Sequence, residues 1–139
     1  MRDFYHGVKQ VPMLFPQRLK GNQPVVGATV DTAGFLGANM FLSVGQSVEV
    51  LSDQLKVETL LEESDDGKTF NLVDSSQLFS VFPNIDDNKK TQANYMVGYK
   101  GDKRYFRLAL QPVGDLKKGF LVSALAFLGL AYREPVTRS

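Results

Sequence analysis

The chain has 139 residues, 16 Lys+Arg against 15 Asp+Glu, a formal charge of +1 and no cysteine. That length suits one domain, and the missing cysteines exclude a disulfide framework, a thiolate metal site and a cysteine nucleophile. The two charge signs are mixed with no basic run, so no phosphate-tracking surface and no nucleic-acid partner are expected.

Residues 1–24 read as an extended N-terminal arm. Pro12, Pro16 and Pro24 interrupt regular elements, because proline fixes its own φ and biases the preceding residue toward extended backbone. Phe4, Tyr5, Met13, Leu14 and Phe15 are too apolar for a solvated tail. Such an arm needs a surface to cover it, in its own domain or on a neighbouring subunit. Phe4, Tyr5, Leu14 and Phe15 are the candidate partner-binding anchors, since aromatics dominate contact energetics. Removing residues 1–16 is then expected to leave a folded domain that no longer assembles. The opening MRDFYHGVKQ lacks the apolar core of a signal peptide. The longest apolar stretch, residues 120–130, is shorter than the ~20 residues of a membrane-spanning helix. The expectation is a soluble chain with no membrane partner.

Residues 25–139 alternate with period two and read as one β-sandwich domain. A first strand is predicted over 25–31, closed by Thr32-Ala33-Gly34. A second, over 39–47, puts Met40, Leu42 and Val44 on one face and Phe41 and Ser43 on the other. A third, over 55–64, sends Leu55, Val57, Thr59 and Leu61 one way and Lys56, Glu58 and Glu62 the other, with Leu60 as an interfacial exception. Asp66-Gly67 is a two-residue hairpin signal. It pairs Asp65 with Lys68 and sets Leu61 opposite Leu72; a three-residue loop with a glycine bulge would shift this by one. Asp74-Ser75-Ser76 is placed to cap one helical turn reaching Phe79, and a surface loop follows through Pro83 to Lys90. A second hairpin is predicted at Gly101-Asp102. It sets Val97 against Phe106, Tyr95 against Leu108 and Ala93 against Leu110, and a one-residue slip would turn each partner to the wrong face. Tyr95, Val97, Phe106 and Leu108 are thus the expected core of the hairpin. Residues 120–130 are apolar on both faces. A strand buried on both sides and a short buried helix both fit, and the alternation of the preceding elements favours the strand. Short strands at turn-marked spacing make the expected fold all-β, an antiparallel sandwich of jelly-roll-like kind.

Parts for chemistry are scarce. His6 is the single histidine, and a general base needs a rigid cleft and an orienting partner; one histidine without cysteines does not make a zinc site. Glu62-Glu63 and Asp65-Asp66 could supply a glycosidase pair or calcium ligands. Neighbours on a strand point to opposite faces, however, and Asp65-Asp66-Gly67 lacks the alternate acidic spacing of an EF-hand loop. Lys103-Arg104-Tyr105-Phe106-Arg107 interleaves basic and aromatic residues, but alternation sends Phe106 to the core and leaves only Tyr105 and Arg107 outside. No catalytic residue, metal or cofactor is expected, and an enzyme would need a cleft of convergent titratable groups.

Asp31-Thr32-Ala33-Gly34-Phe35 is followed by Leu61-Glu62-Glu63-Ser64-Asp65-Asp66-Gly67-Lys68-Thr69-Phe70. After these come Val97-Gly98-Tyr99-Lys100-Gly101-Asp102-Lys103-Arg104-Tyr105-Phe106-Arg107 and the terminal Leu128-Gly129. In order and spacing, over about residues 28–136, this set resembles a family of small bacteriophage virion structural proteins. The resemblance implies a capsid decoration (cement) protein on the capsid surface, made in the host bacterial cytoplasm. Its implied partners are the major capsid protein and further copies of itself, as a homotrimer at local three-fold axes. Two other roles stay open. One is a carbohydrate- or receptor-binding sandwich, since an acidic Ser-Asp-Asp-Gly hairpin also occurs in discoidin-like carbohydrate-binding sandwiches. The other is a head–tail joining or tail subunit.

Overall fold

The computed structural model describes residues 4–131, and within them ten strands build two antiparallel sheets packed face to face. In chain order the strands are β1 (Lys9–Gly21), β2 (Val25–Val26), β3 (Val30–Asp31), β4 (Phe35–Val44) and β5 (Lys56–Ser64). They continue with β6 (Asn71–Leu72), β7 (Leu78–Phe79), β8 (Ala93–Tyr99), β9 (Tyr105–Val113) and β10 (Leu116–Ala131). The first sheet runs β1-β10-β4-β8-β7 and the second β2-β9-β5-β6, with β3 also paired to β9.

The pairing is nested. β1 joins β10, β2 and β3 join β9, β4 joins β8, and β5 joins β6. The chain is therefore one long antiparallel ribbon, doubled at residues 64–70 and rolled until β10 meets β4 and β9 meets β5. With β2 and β3 counted as one interrupted strand, and β7 as an added edge, this is the eight-stranded jelly roll.

Alternation decides which side chains enter the interior. Met40, Leu42 and Val44 of β4 are buried, as are Val57 and Leu61 of β5, and Phe41 and Ser43 point the other way as expected. Phe106 is fully enclosed, and its ring meets Tyr99 edge-on at 5.3 Å. Residues 120–130 lie within β10, a strand, with Phe120, Val122, Ala124, Ala126 and Leu128 inward. Gly27 marks where the chain binds both sheets. Its N–H donates to the Leu108 carbonyl and the next N–H, of Ala28, to the Met13 carbonyl, both at 2.8 Å. A Cβ at Gly27 would overlap the Met13 carbonyl and stand 2.9 Å from that of Leu108, so no side chain fits.

Three expectations change. The boundary at residue 24 does not separate an arm from a domain, because residues 9–21 form the outer strand of the first sheet. Pro12 and Pro16 do not break that strand. They sit at its register shifts, where an edge strand loses few ladder bonds to a missing N–H. The far end of the domain read as 25–139, from residue 132, lies outside the described residues.

Second, the Gly101-Asp102 hairpin does not form. β8 belongs to the first sheet and β9 to the second, so residues 100–104 arch across the sandwich. Val97, Phe106 and Leu108 are all buried and Tyr95 packs against the same core. They meet across the interior, however, and not along a ladder. Hydrophobic phase agrees equally well with a hairpin and with an arch, because both strands line one core.

Third, the turn at Asp66-Gly67 is longer than two residues. Glu62 pairs with Leu72 and Glu63 with Asn71, a shift of one from the predicted register, and Leu72 is exposed. The expected turn after Asp74 is present as a single 3-10 turn, Ser75–Gln77, with the Asp74 carboxylate accepting from the Ser76 N–H at 2.9 Å.

Two outcomes follow. Phe106→Ala should cost about 3–5 kcal/mol in urea unfolding, the range for emptying an enclosed aromatic site. Deleting residues 1–16 should abolish cooperative unfolding, because Met13 and Leu14 leave the core with them, whereas deleting residues 1–7 should leave it intact.

Candidate interaction surfaces

The outward faces of the two sheets differ in kind. On the second sheet, Lys56, Glu58 and Glu62 of β5 stand opposite Val113, Gln111 and Arg107 of β9. Arg107 bonds Glu62 at 2.9 Å, and its guanidinium lies 3.8 Å from the centre of the Phe70 ring. This face carries charges and an ion pair, on either side of an apolar row of Val26, Ala109 and Leu60, with Leu72 exposed beside Glu62.

The first sheet presents the opposite. Between Leu121 and Gly129 of β10, Gly37 and Ser43 of β4, and Asn94 and Gly98 of β8, no outward position carries a charge. One row runs Pro12, Leu125, Phe41, Met96 across four strands, and a second runs Gln10, Phe127, Asn39, Gly98, Phe79 across five. Phe41 and Phe127 meet edge-on at 5.3 Å, and Phe4 packs over Phe127 at 6.5 Å. Below the aromatic rows lies a polar line in which the Ser43 hydroxyl bonds the Asn94 side chain at 2.7 Å. Phe4, Leu36, Phe79 and Phe127 wall a groove of about 570 Å³, floored in part by Gly98 and Gly129. Lys100 stands at its rim, 4.5 Å from the centre of the Phe79 ring.

The four predicted anchors separate. Phe4 is 66% exposed and belongs to this face; Tyr5 is 64% exposed on a 3-10 turn, its ring edge-on to His6. Phe15 is 68% exposed on the outer strand. Leu14 is not a partner anchor. It is 5% exposed, pairs with Ala124 and fills this chain's own core. Phe41, Leu125, Phe127, Met96 and Phe79 were not singled out as contact residues from the sequence. The signal was present in residues 120–130, apolar on both faces, because only one face of that strand is sealed inside.

At one end of the sandwich three of the four stretches that carry the sequence resemblance converge, as the loops 32–34, 65–70 and 100–104. Arg104 grips Asp31 through two bonds of 2.8 and 2.9 Å, and the Arg104 carbonyl accepts from the N–H and hydroxyl of Thr32. The Arg104 side chain holds the Asp31 carboxyl below its ordinary range, outweighing its partial desolvation. Lys103 reaches Asp65 at 2.9 Å. Tyr99 donates to Glu63 at 2.6 Å, and burial together with that carboxylate pushes the phenol up. Glu62 and Glu63 therefore face opposite ways, one to Arg107 and one to Tyr99. The loops leave a cleft of about 400 Å³ lined by Asp102, Lys103 and Arg104, of which Lys103 and Arg104 are paired to Asp65 and Asp31. Among the described residues no three His, Asp or Glu side chains are placed to hold a metal ion.

The ribbon tip is tied by side chains. The Ser64 hydroxyl accepts from the N–H groups of Asp66 and Gly67, and the Asp66 carboxylate accepts from those of Lys68 and Thr69. Gly67 sits at φ 76°, a left-handed turn position.

No protein-family model matches the chain, and no curated protein matches it. Among solved structures it is similar to a chain of infectious bursal disease virus, Gx strain, at TM-score 0.48 and 10% identity. That match covers 92% of this chain and 33% of the other, so the chain spans about a third of that relative's length. It is also similar to the SPBc2 prophage-derived protein YomS, at TM-score 0.40 and 8% identity, covering 87% and 93%.

The tip makes a pH prediction. The N–H groups of Thr69 and Lys68, with the Ser64 hydroxyl, hold Asp66 at about 2 against an ordinary 3.8. A carboxyl lowered by folding stabilises the fold above its unfolded value and stops doing so as pH falls through the folded one. Asp66→Asn should therefore unfold at lower urea than the parent at neutral pH, and the gap should close between about 3.8 and about 2. Urea midpoints across that range, with a gap unchanged at the acid end, would show the tip to be held otherwise.

Proposed function

We propose that this chain is a virion structural protein, a capsid decoration (cement) protein that binds the shell of the major capsid protein and has no catalytic role. The observation that carries the reading is a jelly roll with blunted sheet edges and one uncharged, apolar sheet face. Monomeric surfaces rarely leave an apolar patch of several hundred Å² open, and larger ones mark contact sites. Jelly rolls recur in viral capsid and lectin domains, and fold alone does not choose between them. Two features favour the virion side. The sequence resemblance is to phage virion proteins, and three of its four segments meet at one stitched end. Arg104 with Asp31, Lys103 with Asp65 and Tyr99 with Glu63 are engaged with each other there, which leaves fewer donors and acceptors to converge on a glycan.

The physical role of such a subunit is to add buried area across joints between capsomers, repeated over the shell so that modest contacts act together. Purified particles test it. Copies in a fixed ratio to the major capsid protein, seen over the whole shell in averaged electron micrographs, and rebinding of purified protein to stripped shells in co-sedimentation are expected. Density confined to the portal vertex or tail would make the chain a joining or tail subunit instead.

A further inference from the structure

We infer that the outward face of the first sheet pairs two copies of this chain about a two-fold axis. The argument begins with area. Phe4, Phe79, Met96 and Leu121 are each more than half exposed. With ~150–250 Å² for a whole aromatic side chain and somewhat less for Leu and Met, these and the half-buried Phe41, Leu125 and Phe127 offer on the order of 600 Å². A specific interface takes roughly 800 Å² from each partner.

Charge selects the occupant. A two-fold axis sets a surface against itself, so every charge on it is opposed by a like charge or must be answered by an opposite one at the mirrored position. The outward positions of β10 from Leu121, with those of β4 and β8, carry no charge at all, so the face meets its own copy without that cost. Arg18, opposite Leu121, and Lys100, beside Phe79, stay at the margin.

Geometry agrees. A second copy brings an equally flat sheet, and sheets pack face to face about 10 Å apart through interdigitated rows. The edges cannot substitute, since β7 and β6 are two residues long and β1 carries Pro12 and Pro16. A three-fold ring, which the sequence resemblance implies, needs two different complementary patches on each copy. The other sheet sets Lys56, Glu58, Glu62 and Arg107 on either side of its apolar row Val26, Ala109 and Leu60, a poorer receiver for rows of Phe, Leu and Met.

The pairing assigns to a second copy the face on which the shell reading also rests, so the two part in the test: a pair that forms in solution but ignores capsids would leave the pairing standing and remove the shell reading. Sedimentation equilibrium of the full chain at micromolar concentration should give a dimer. Met96→Glu and Leu121→Glu alter exposed positions, so their melting should match the parent at concentrations below the parent's dimer dissociation constant, while dimer dissociation constants should rise tenfold or more. The chain has no cysteine, so a single one reports position. Ser123→Cys and Ser43→Cys should yield linked pairs with a short bismaleimide, and Glu58→Cys on the other sheet should not. A monomeric or trimeric parent, a dimer indifferent to both glutamates, or preferential linking through Glu58→Cys would overturn the inference.

Discussion

The fold depends on β10 being held from both sides. Its sixteen residues, Leu116–Ala131, pair with β1 on one edge and β4 on the other, so the first long strand and the last close the sheet together. Nothing local prepares that closure. The paired residues lie about a hundred positions apart, and loop closure must precede any ladder bond, which makes such topologies slow to form. The entry to β10 is fastened separately. The Glu49 carboxylate accepts from the N–H groups of Lys117, Lys118 and Gly119, at 2.6, 3.1 and 3.2 Å. Desolvation pushes that carboxyl up, and the three amides more than offset it, leaving it below its ordinary value. Gly119 takes φ 66°, and a Cβ there would collide with the Leu19 carbonyl, so the strand enters against β1 only with glycine at this point.

This topology also explains which features were legible in the sequence. Alternation within a strand is a local property, and the inward sets of β4, β5 and β9 follow from it residue by residue. Partnership between strands is not local. Only β5 with β6, across the ribbon tip, and β7 with β8 join neighbours in the chain; every other pairing reaches over an intervening strand. Val97 and Phe106 thus satisfied a hairpin on paper and an arch in fact, with the same faces buried. The Asp66 tip was found because its chemistry is confined to seven residues, and its register was missed because side-chain bonds from Ser64 and Asp66 lengthened the loop.

The contact surface was obscured for a related reason. A strand apolar on both faces reads as one buried on both sides. In β10 the inner residues Phe120, Val122 and Leu128 are sealed by the second sheet, while Leu121, Leu125 and Phe127 lie on the face that the second sheet does not cover. Sequence alone gives the second apolar face but not its cover. Phe41 and Met96 complete the face from strands whose alternation looked ordinary, and only the register Leu125, Phe41, Met96 brings them into one row.

Sheets associate by their edges or by their faces, and this molecule closes the first route while leaving the second open. An exposed edge is a template for any other strand, so it is normally blunted by shortness, proline or a bulge. β7 stops after two residues, where Ser80 takes φ 68°. β1 has register shifts beside Pro12 and before Gln17, which remove the even row of donors that an added strand would need. The same prolines that first suggested an arm therefore guard the sheet beside the apolar face. Edge pairing is indifferent to side chains and would permit open-ended growth, whereas a face recognises a definite pattern of rows and is used up once covered. A chain that must associate in a fixed geometry, and not aggregate while its late-closing strand is still free, gains from that division.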